Sequence, residues 1–377
     1  MLPCDTYEYG FIFKNFGDYV CPVATAELSF HDALLQQSAS CSQLGSPIYA
    51  DIFHAMAKDL TDNGVTARIS ENLSIRPQRD AAPLRIAGAL HRLALSGKAP
   101  NIARHFPSTG GAPGRTLIAD YLEALVTFSS DVEDGLARTV QTNEVGRTTM
   151  LVAGMSHFAR AVGIDQTHLR EIGSSCGLNL QVDNYFFDTG DSEYGNSNAR
   201  VRFEGAAWGS PVPDISQCPS LLSRRGCDVA PLNAHNENDQ LTLLSFVWPD
   251  QFERFTRLRH AIENACTAPS YIAPDEKDAA VWIHEQLANI PSNEPVLIFH
   301  SIVWQYLSRE TKDQFRAEVD GFCVQRKAPT GWLRMEPAGP VADLRIDIWQ
   351  NARKTHSDQV LADSSYHGIG TRSLTAN

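Results

Sequence analysis

Two kinds of hydrophobic spacing meet near residue 165 of this chain, and the change restricts the folds open to it. From about residue 25 to 160 apolar residues recur at helical spacing, in FHDALLQQSASCSQL, SPIYADIFHAMAKDLTD, PLRIAGALHRLALSG and TLIADYLEALVTFSSDVEDGLARTV. PSTGGAPGR (107–115) interrupts the pattern as a loop rich in Gly and Pro. Nothing before about residue 168 reads as a strand. Beyond it, short stretches that read as strands (HLREIG, PSLLSRRGCD, EPVLIFHS, GWLRMEP, ADLRIDIWQ) alternate with helical stretches (WPDQFERFTRLRHAIENA, DAAVWIHEQLANI, IVWQYLSRETKDQFRAEV). Such alternation predicts an α/β fold with a mostly parallel sheet and helices on both faces. The reading is a helical domain over 1–160 and a sheet domain over 161–377. A chain of 377 residues is long enough for two cores.

Composition removes several function classes. A formal net charge of −12 argues against a protein held to nucleic acid by phosphate contacts. No apolar run approaches membrane-spanning length. The opening MLPCDTYEYGFIFKNFGDY has acids where a signal peptide has basic residues, so no export signal is read. The eight cysteines are scattered and form no C-x-x-C pair, which points to reduced thiols in a cytoplasm. The twelve histidines form neither H-x-x-x-H nor H-E-x-x-H, so no metal site is expected.

The stretch LREIGSSCGLNL (169–180) carries the chemistry. Gly173-Ser174-Ser175-Cys176-Gly177 fits the G-x-S-x-G elbow of serine hydrolases, and Ser175, then Glu336 or Asp347, then His367 would supply the chain order of such a triad. An elbow lies mid-sheet after several strands, whereas the chain before this turn reads as helical. The other reading is a glycine-rich turn ending the first strand, at the edge where open α/β sheets bind ligands. There the glycines let backbone approach a ligand closely, and the helix expected from GLNLQVDNYF presents free N–H groups.

The order acid-x-Gly-x-small-x-Gly resembles motif I of class I methyltransferases, which bind S-adenosylmethionine. That resemblance implies a Rossmann-like sheet, with Glu171, Gly173, Ser175, Gly177 and Asn179 around the cofactor. Ser175 stands where the family usually has a second Gly. RRGCDVAPL resembles motif II, whose acid accepts the ribose hydroxyls; here it is Asp228. Asp228 follows Glu171 by 57 positions, against about 20 in a direct strand-helix-strand unit, so residues 181–220 are expected to be an insertion. Asp275 or Asp278 would lie near the adenine. EPVLIFHSIVWQYL resembles the fourth strand and its helix, placing His300, Ser301 and Trp304 at the active-site edge. WLRMEP and LRIDIW would be the last parallel strand and the closing hairpin.

Three stretches together resemble a narrower bacterial family, domain of unknown function 2332: QTNEVGR (141–147), EIGSSCGLNL (171–180) and FHSIVWQYL (299–307). RRGCDVAPLN, FVWPDQFERFTRLR and YHG (366–368) look like that family too. The family carries no assigned reaction, so it implies fold and site placement more than activity.

Each remaining candidate has a structural and a functional reading. Thr142 or Asn143 is expected to cap a helix running toward Phe158, with Glu144 and Arg147 paired on one face; alternatively Asn143, Glu144 and Arg147 enter the cleft. Asp250 either stabilises the helix it precedes or contacts substrate. Glu336, beside Pro337, ends a strand near the site. Trp248, Trp282, Trp304 and Trp332 read as core, and Trp304 also as a substrate contact. The functional expectation is an S-adenosylmethionine-dependent methyltransferase acting on a small molecule, with His300, Glu144 and Arg147 catalytic. The alternatives are a non-catalytic binding or regulatory protein on the same fold, and a serine hydrolase using Ser175. The oligomeric state is not legible.

Overall fold

A computed structural model describes residues 27–71, 73 and 75–375. Cys4 and Cys21 and the opening segment read above lie outside the described residues. The chain divides into two compact units. One comprises the described residues to Thr142 together with Leu241–Thr256; the other comprises Asn143–Gln240 and Arg257 onward. Residues 143–160, read from sequence as part of the helical domain, belong to the second unit.

The first unit is helical. Its helices Phe30–Gln43, Pro47–Thr61, Ala82–Leu95 and Leu117–Thr127 bury Leu34, Tyr49, Phe53, Leu90, Tyr121 and neighbours in one core, which Trp248 of the returning segment completes. Asp250 lies in this unit, and its carboxylate serves a helix other than the one it precedes. Its carboxylate accepts from the Ser46 hydroxyl (2.5 Å) and the Ile48 amide (3.0 Å). It therefore caps the helix Pro47–Thr61, whose first turn has amides without intrahelical acceptors, rather than the helix Phe252–Thr267 that follows it.

The second unit is a mixed α/β structure around an eight-stranded sheet. Its strands are β1 (Gln166–Ile172), β5 (Ser220–Asp228), β6 (Asp275–Glu276), β7 (Val296–Ser301), β8 (Thr330–Ala338), β9 (Val341–Gln350), β10 (Arg353–Ser364) and β11 (Arg372–Ser373). The order is β11-β10-β9-β8-β7-β1-β5-β6. β6, β5, β1, β7 and β8 run parallel, and β9, β10 and β11 extend the sheet antiparallel. Strands buried on both faces read as continuous apolar runs, as VLIF of β7 does. The helix Thr148–Val162 packs on one face. Gly154 makes room there, since a Cβ would lie 2.3 Å from Leu333. On the other face Trp282, Ile283, Phe315 and Val319, from the helices Ala279–Ala288 and Arg309–Cys323, cover Ile172, Ile298 and Trp332.

Three local expectations differ. GLNLQVDNYF forms a 3-10 segment, Asn179–Asn184, rather than an α-helix; within 181–220 a small sheet follows, with β2 (Phe186–Asp188) between β3 (Glu193–Gly195) and β4 (Arg202–Phe203). The helix after β7 starts only at Arg309, capped by Ser308, because Trp304–Tyr306 makes a 3-10 turn first. β10 was not anticipated, because RKTHSDQ is polar and mostly exposed.

Candidate functional site

β1 ends at Ile172, and the chain turns at once. Gly173 (φ +65°), Ser175 (φ +52°) and Gly177 (φ +73°) all have left-handed backbone. Glycine adopts this freely, whereas the Cβ of Ser175 costs about 1 kcal/mol. A Cβ on Gly173 would lie 2.4 Å from the Val303 side chain, so the turn packs directly on the segment leaving β7.

Distant side chains hold the turn. Asn143 Oδ1 accepts from the amides of Cys176 (3.2 Å) and Leu178 (2.9 Å). Asp228 Oδ2 accepts from the Ser175 amide (2.9 Å) and its Oδ1 from the Ala230 amide (3.1 Å). The Cys227 carbonyl accepts from the amide (3.0 Å) and hydroxyl (3.1 Å) of Ser174. The amides of Ser174, Ser175, Cys176 and Leu178 are thus partnered inside the protein.

Glu171 is different. Its side chain is buried, and Oε1 accepts from Asn179 Nδ2 (3.1 Å). Oε2 is buried with no hydrogen-bond partner, and so is Asn179 Oδ1. Burial pushes the Glu171 carboxyl up to about 8; Asn179 and Arg147 pull it down, and the charge of Asp228 adds to the rise. When Glu171 is ionised, these two buried acceptors lack donors at a cost on the order of 1–3 kcal/mol each, and donors supplied by a ligand would relieve that cost.

QTNEVGR does not open the α-helix. A 3-10 turn, Val145–Arg147, precedes a helix beginning at Thr148, and the Asn143 side chain reaches the glycine turn instead of capping. Glu144 Oε1 accepts from the Gly146 amide (3.2 Å), and its Oε2 lies 3.5 Å from His367 Nδ1. Arg147 donates to the carbonyls of Tyr366 (3.1 Å) and Ser301 (3.2 Å). Gly146 and Gly368 touch: a Cβ on Gly146 would lie 2.1 Å from the His367 carbonyl oxygen. The contact between QTNEVGR and YHG, more than 200 positions apart, leaves no trace in local sequence pattern.

At the end of β7, His300 is fully buried and stacks on Trp304 (centroids 5.1 Å apart, planes at 14°). Its Nδ1 is 2.7 Å from Glu336 Oε1, which also accepts from the amides of Val303 (3.2 Å) and Trp304 (3.1 Å). A carboxylate facing it only accepts, so Nδ1 carries the proton and Nε2 is a bare acceptor; Nε2 is buried without a partner. Glu171 aligns with Phe299, so His300, one residue further, projects from the opposite face of the sheet.

The candidate residues described so far in this unit thus gather near the carboxyl ends of β1, β5, β7 and β8, split between two faces. Asp250 belongs to the helical unit. Of the adenine-side acids, Asp278 caps the helix Ala279–Ala288 and Asp275 accepts from Trp282 Nε1 (2.7 Å). Among the described residues no group of three or more His, Cys, Asp or Glu could hold a metal ion, and no helix is long and apolar enough to cross a membrane. No curated protein and no solved structure matches the chain. The profile of one family, described as "Uncharacterized protein conserved in bacteria (DUF2332)", matches residues 31–371, and the chain belongs to that family.

Proposed function

We propose that the carboxyl edge of the parallel strands binds S-adenosylmethionine and that the protein is a methyltransferase acting on a small molecule. In chain order the five parallel strands lie third-second-first-fourth-fifth across the sheet, the order of the first five strands of a doubly wound nucleotide-binding sheet. In such sheets ligands bind where the connections leave in opposite directions, here between β1 and β7. Glu171, Gly173, Ser301 and Val303 stand at that point.

The observation that carries the reading is the buried Glu171 carboxyl beside the glycine turn, with Oε2 and Asn179 Oδ1 both lacking donors. A protonated amino group has three donors and no acceptor, which suits these two oxygens, so the residues present fit the amino-acid end of the cofactor. Asp228 would accept ribose hydroxyls with the lone pairs that Ser175 and Ala230 leave over. When bound, the cofactor supplies an electrophilic methyl group on a sulfonium. Glu144 and Arg147 fix the 143–147 segment on the acceptor side. His300 and Glu336 orient residues 302–304, with Trp304 toward the acceptor.

Isothermal titration with S-adenosylmethionine and S-adenosylhomocysteine tests this. Binding at neutral pH should release close to one proton, visible as a dependence of heat on buffer ionisation, because a cationic amino group favours ionised Glu171. Absence of heat at millimolar ligand refutes the reading. A second reading, a non-catalytic binding protein on the same fold, draws support from Asp228, both of whose oxygens already hold backbone amides. It predicts cofactor binding with an intact, unconsumed methyl group in the presence of cell-extract metabolites.

A further inference from the structure

The opposite edge of the sheet holds a second cluster. His168 and Arg170 alternate along β1, and in the parallel register they lie beside Ser223 and Arg225 of β5. All four side chains therefore share one face. Beyond these residues β5 is an open edge, since β6 pairs only with Cys227 and Asp228.

Within this group, Ser223 Oγ is 2.7 Å from His168 Nδ1, and His168 Nε2 is 2.7 Å from Glu294 Oε2. The carboxylate only accepts, so Nε2 carries the imidazole proton, and Nδ1 accepts from the Ser223 hydroxyl. Arg170 Nη1 donates to the same Ser223 oxygen (3.0 Å). Ser223 is half-buried, while His168 and Arg170 are 8% and 6% exposed. Glu294 is fixed from behind, because Arg326 donates to the carbonyls of Pro291 (3.0 Å) and Glu294.

Arg170 is the unexpected member. It donates to the Leu169 carbonyl (2.9 Å) and to Ser223, both neutral, and its Nε is buried without an acceptor. Burial, with help from Arg225, lowers its guanidinium to about 10. A buried cation facing neutral partners is costly, and an anion formed beside it would offset that cost.

We propose that Ser223, His168 and Glu294 form a nucleophilic site, independent of the glycine turn, that hydrolyses small carboxylic esters bearing an anionic group. Ser223 Oγ attacks the ester carbonyl carbon and forms the new C–O bond as its proton passes to His168 Nδ1. The carbonyl electron pair moves to oxygen, where the Arg170 guanidinium meets the developing charge. Collapse breaks the bond to the leaving alkoxide, which takes the proton from His168. Water then repeats the sequence on the acyl-serine, so ester and water give acid and alcohol. Exposed Arg225 selects the anionic substrate. Glu294 is a positioning residue that holds the imidazole in the required tautomer.

A fluorophosphonate probe on the intact protein, followed by mapping of the adduct by mass spectrometry, tests the site. The expected result is one adduct, on Ser223, absent in Ser223→Ala. Glu294→Gln should slow modification roughly 10²–10⁴-fold and change its pH profile, with partial rescue by Glu294→Asp. Arg225→Gln should raise KM for an anionic p-nitrophenyl ester while leaving a neutral one unaffected. No adduct on the folded wild type overturns the proposal, and so does an adduct on Ser175 or one that persists in Ser223→Ala.

Discussion

Glutamine at position 171 isolates the most perturbed carboxyl of the candidate site. Burial raises Glu171 from its ordinary 4.5 to about 8 in the folded chain. Because the folded value is the higher one, the folded protein binds the extra proton. Stability from this group is therefore fully present below about pH 4.5, is lost as pH rises toward 8, and changes little above it. The full gap is worth roughly 5 kcal/mol, of which about 3 kcal/mol falls between about pH 5.5 and pH 8.5. Glutamine has nearly the shape of the protonated acid, keeps an oxygen for Asn179, and does not titrate. Urea unfolding of wild type and Glu171→Gln at the two pH values measures the difference. Wild type should lose about 3 kcal/mol more than the variant across that interval, and the two should be nearly equal in acid. Parallel stability curves would refute the reasoning, because they would mean that Glu171 is solvated or already partnered when the chain is folded.

Three further outcomes follow from the same contacts. Asn143→Ala leaves the buried amides of Cys176 and Leu178 without their acceptor and should cost about 2–4 kcal/mol in urea unfolding, whereas Asn143→Asp, which keeps the acceptor oxygen, should cost less. Ser175→Gly relieves the left-handed backbone and should raise thermal stability by about 0.5–1 kcal/mol. Asp250→Ala removes the cap from the helix Pro47–Thr61 and should cost about 1–2 kcal/mol in urea unfolding.

The parts legible in the sequence were those decided by local pattern. β7 is marked by the apolar run VLIF and β1 by its stop at a glycine turn, which follows because Gly173 and Gly177 supply the positive φ it needs. The helical first unit was legible from periodicity alone. What stayed hidden depends on long-range contact. Asp250 sits at a plausible helix start, yet its carboxylate serves a helix some two hundred positions earlier. Glu144 and Arg147 have the spacing of a helical ion pair, but a 3-10 turn redirects them to His367 and to two carbonyls. His300 ends its strand at the expected edge, while its face follows from strand alternation and register with Glu171, which a single strand read alone does not provide. β10 was missed because an antiparallel extension with one wet face has no apolar run to mark it.

The crossing of Leu241–Thr256 back into the helical core has a practical consequence for anyone dissecting this protein. A fragment ending at Thr142 would lack Trp248 and the Asp250 carboxylate, exposing apolar surface and fraying a helix. A fragment starting at Asn143 would carry Trp248 with nothing to cover it. Cutting the chain between Thr142 and Asn143 should therefore yield two sticky pieces, and co-expression of both halves is the arrangement under which either should stay dispersed.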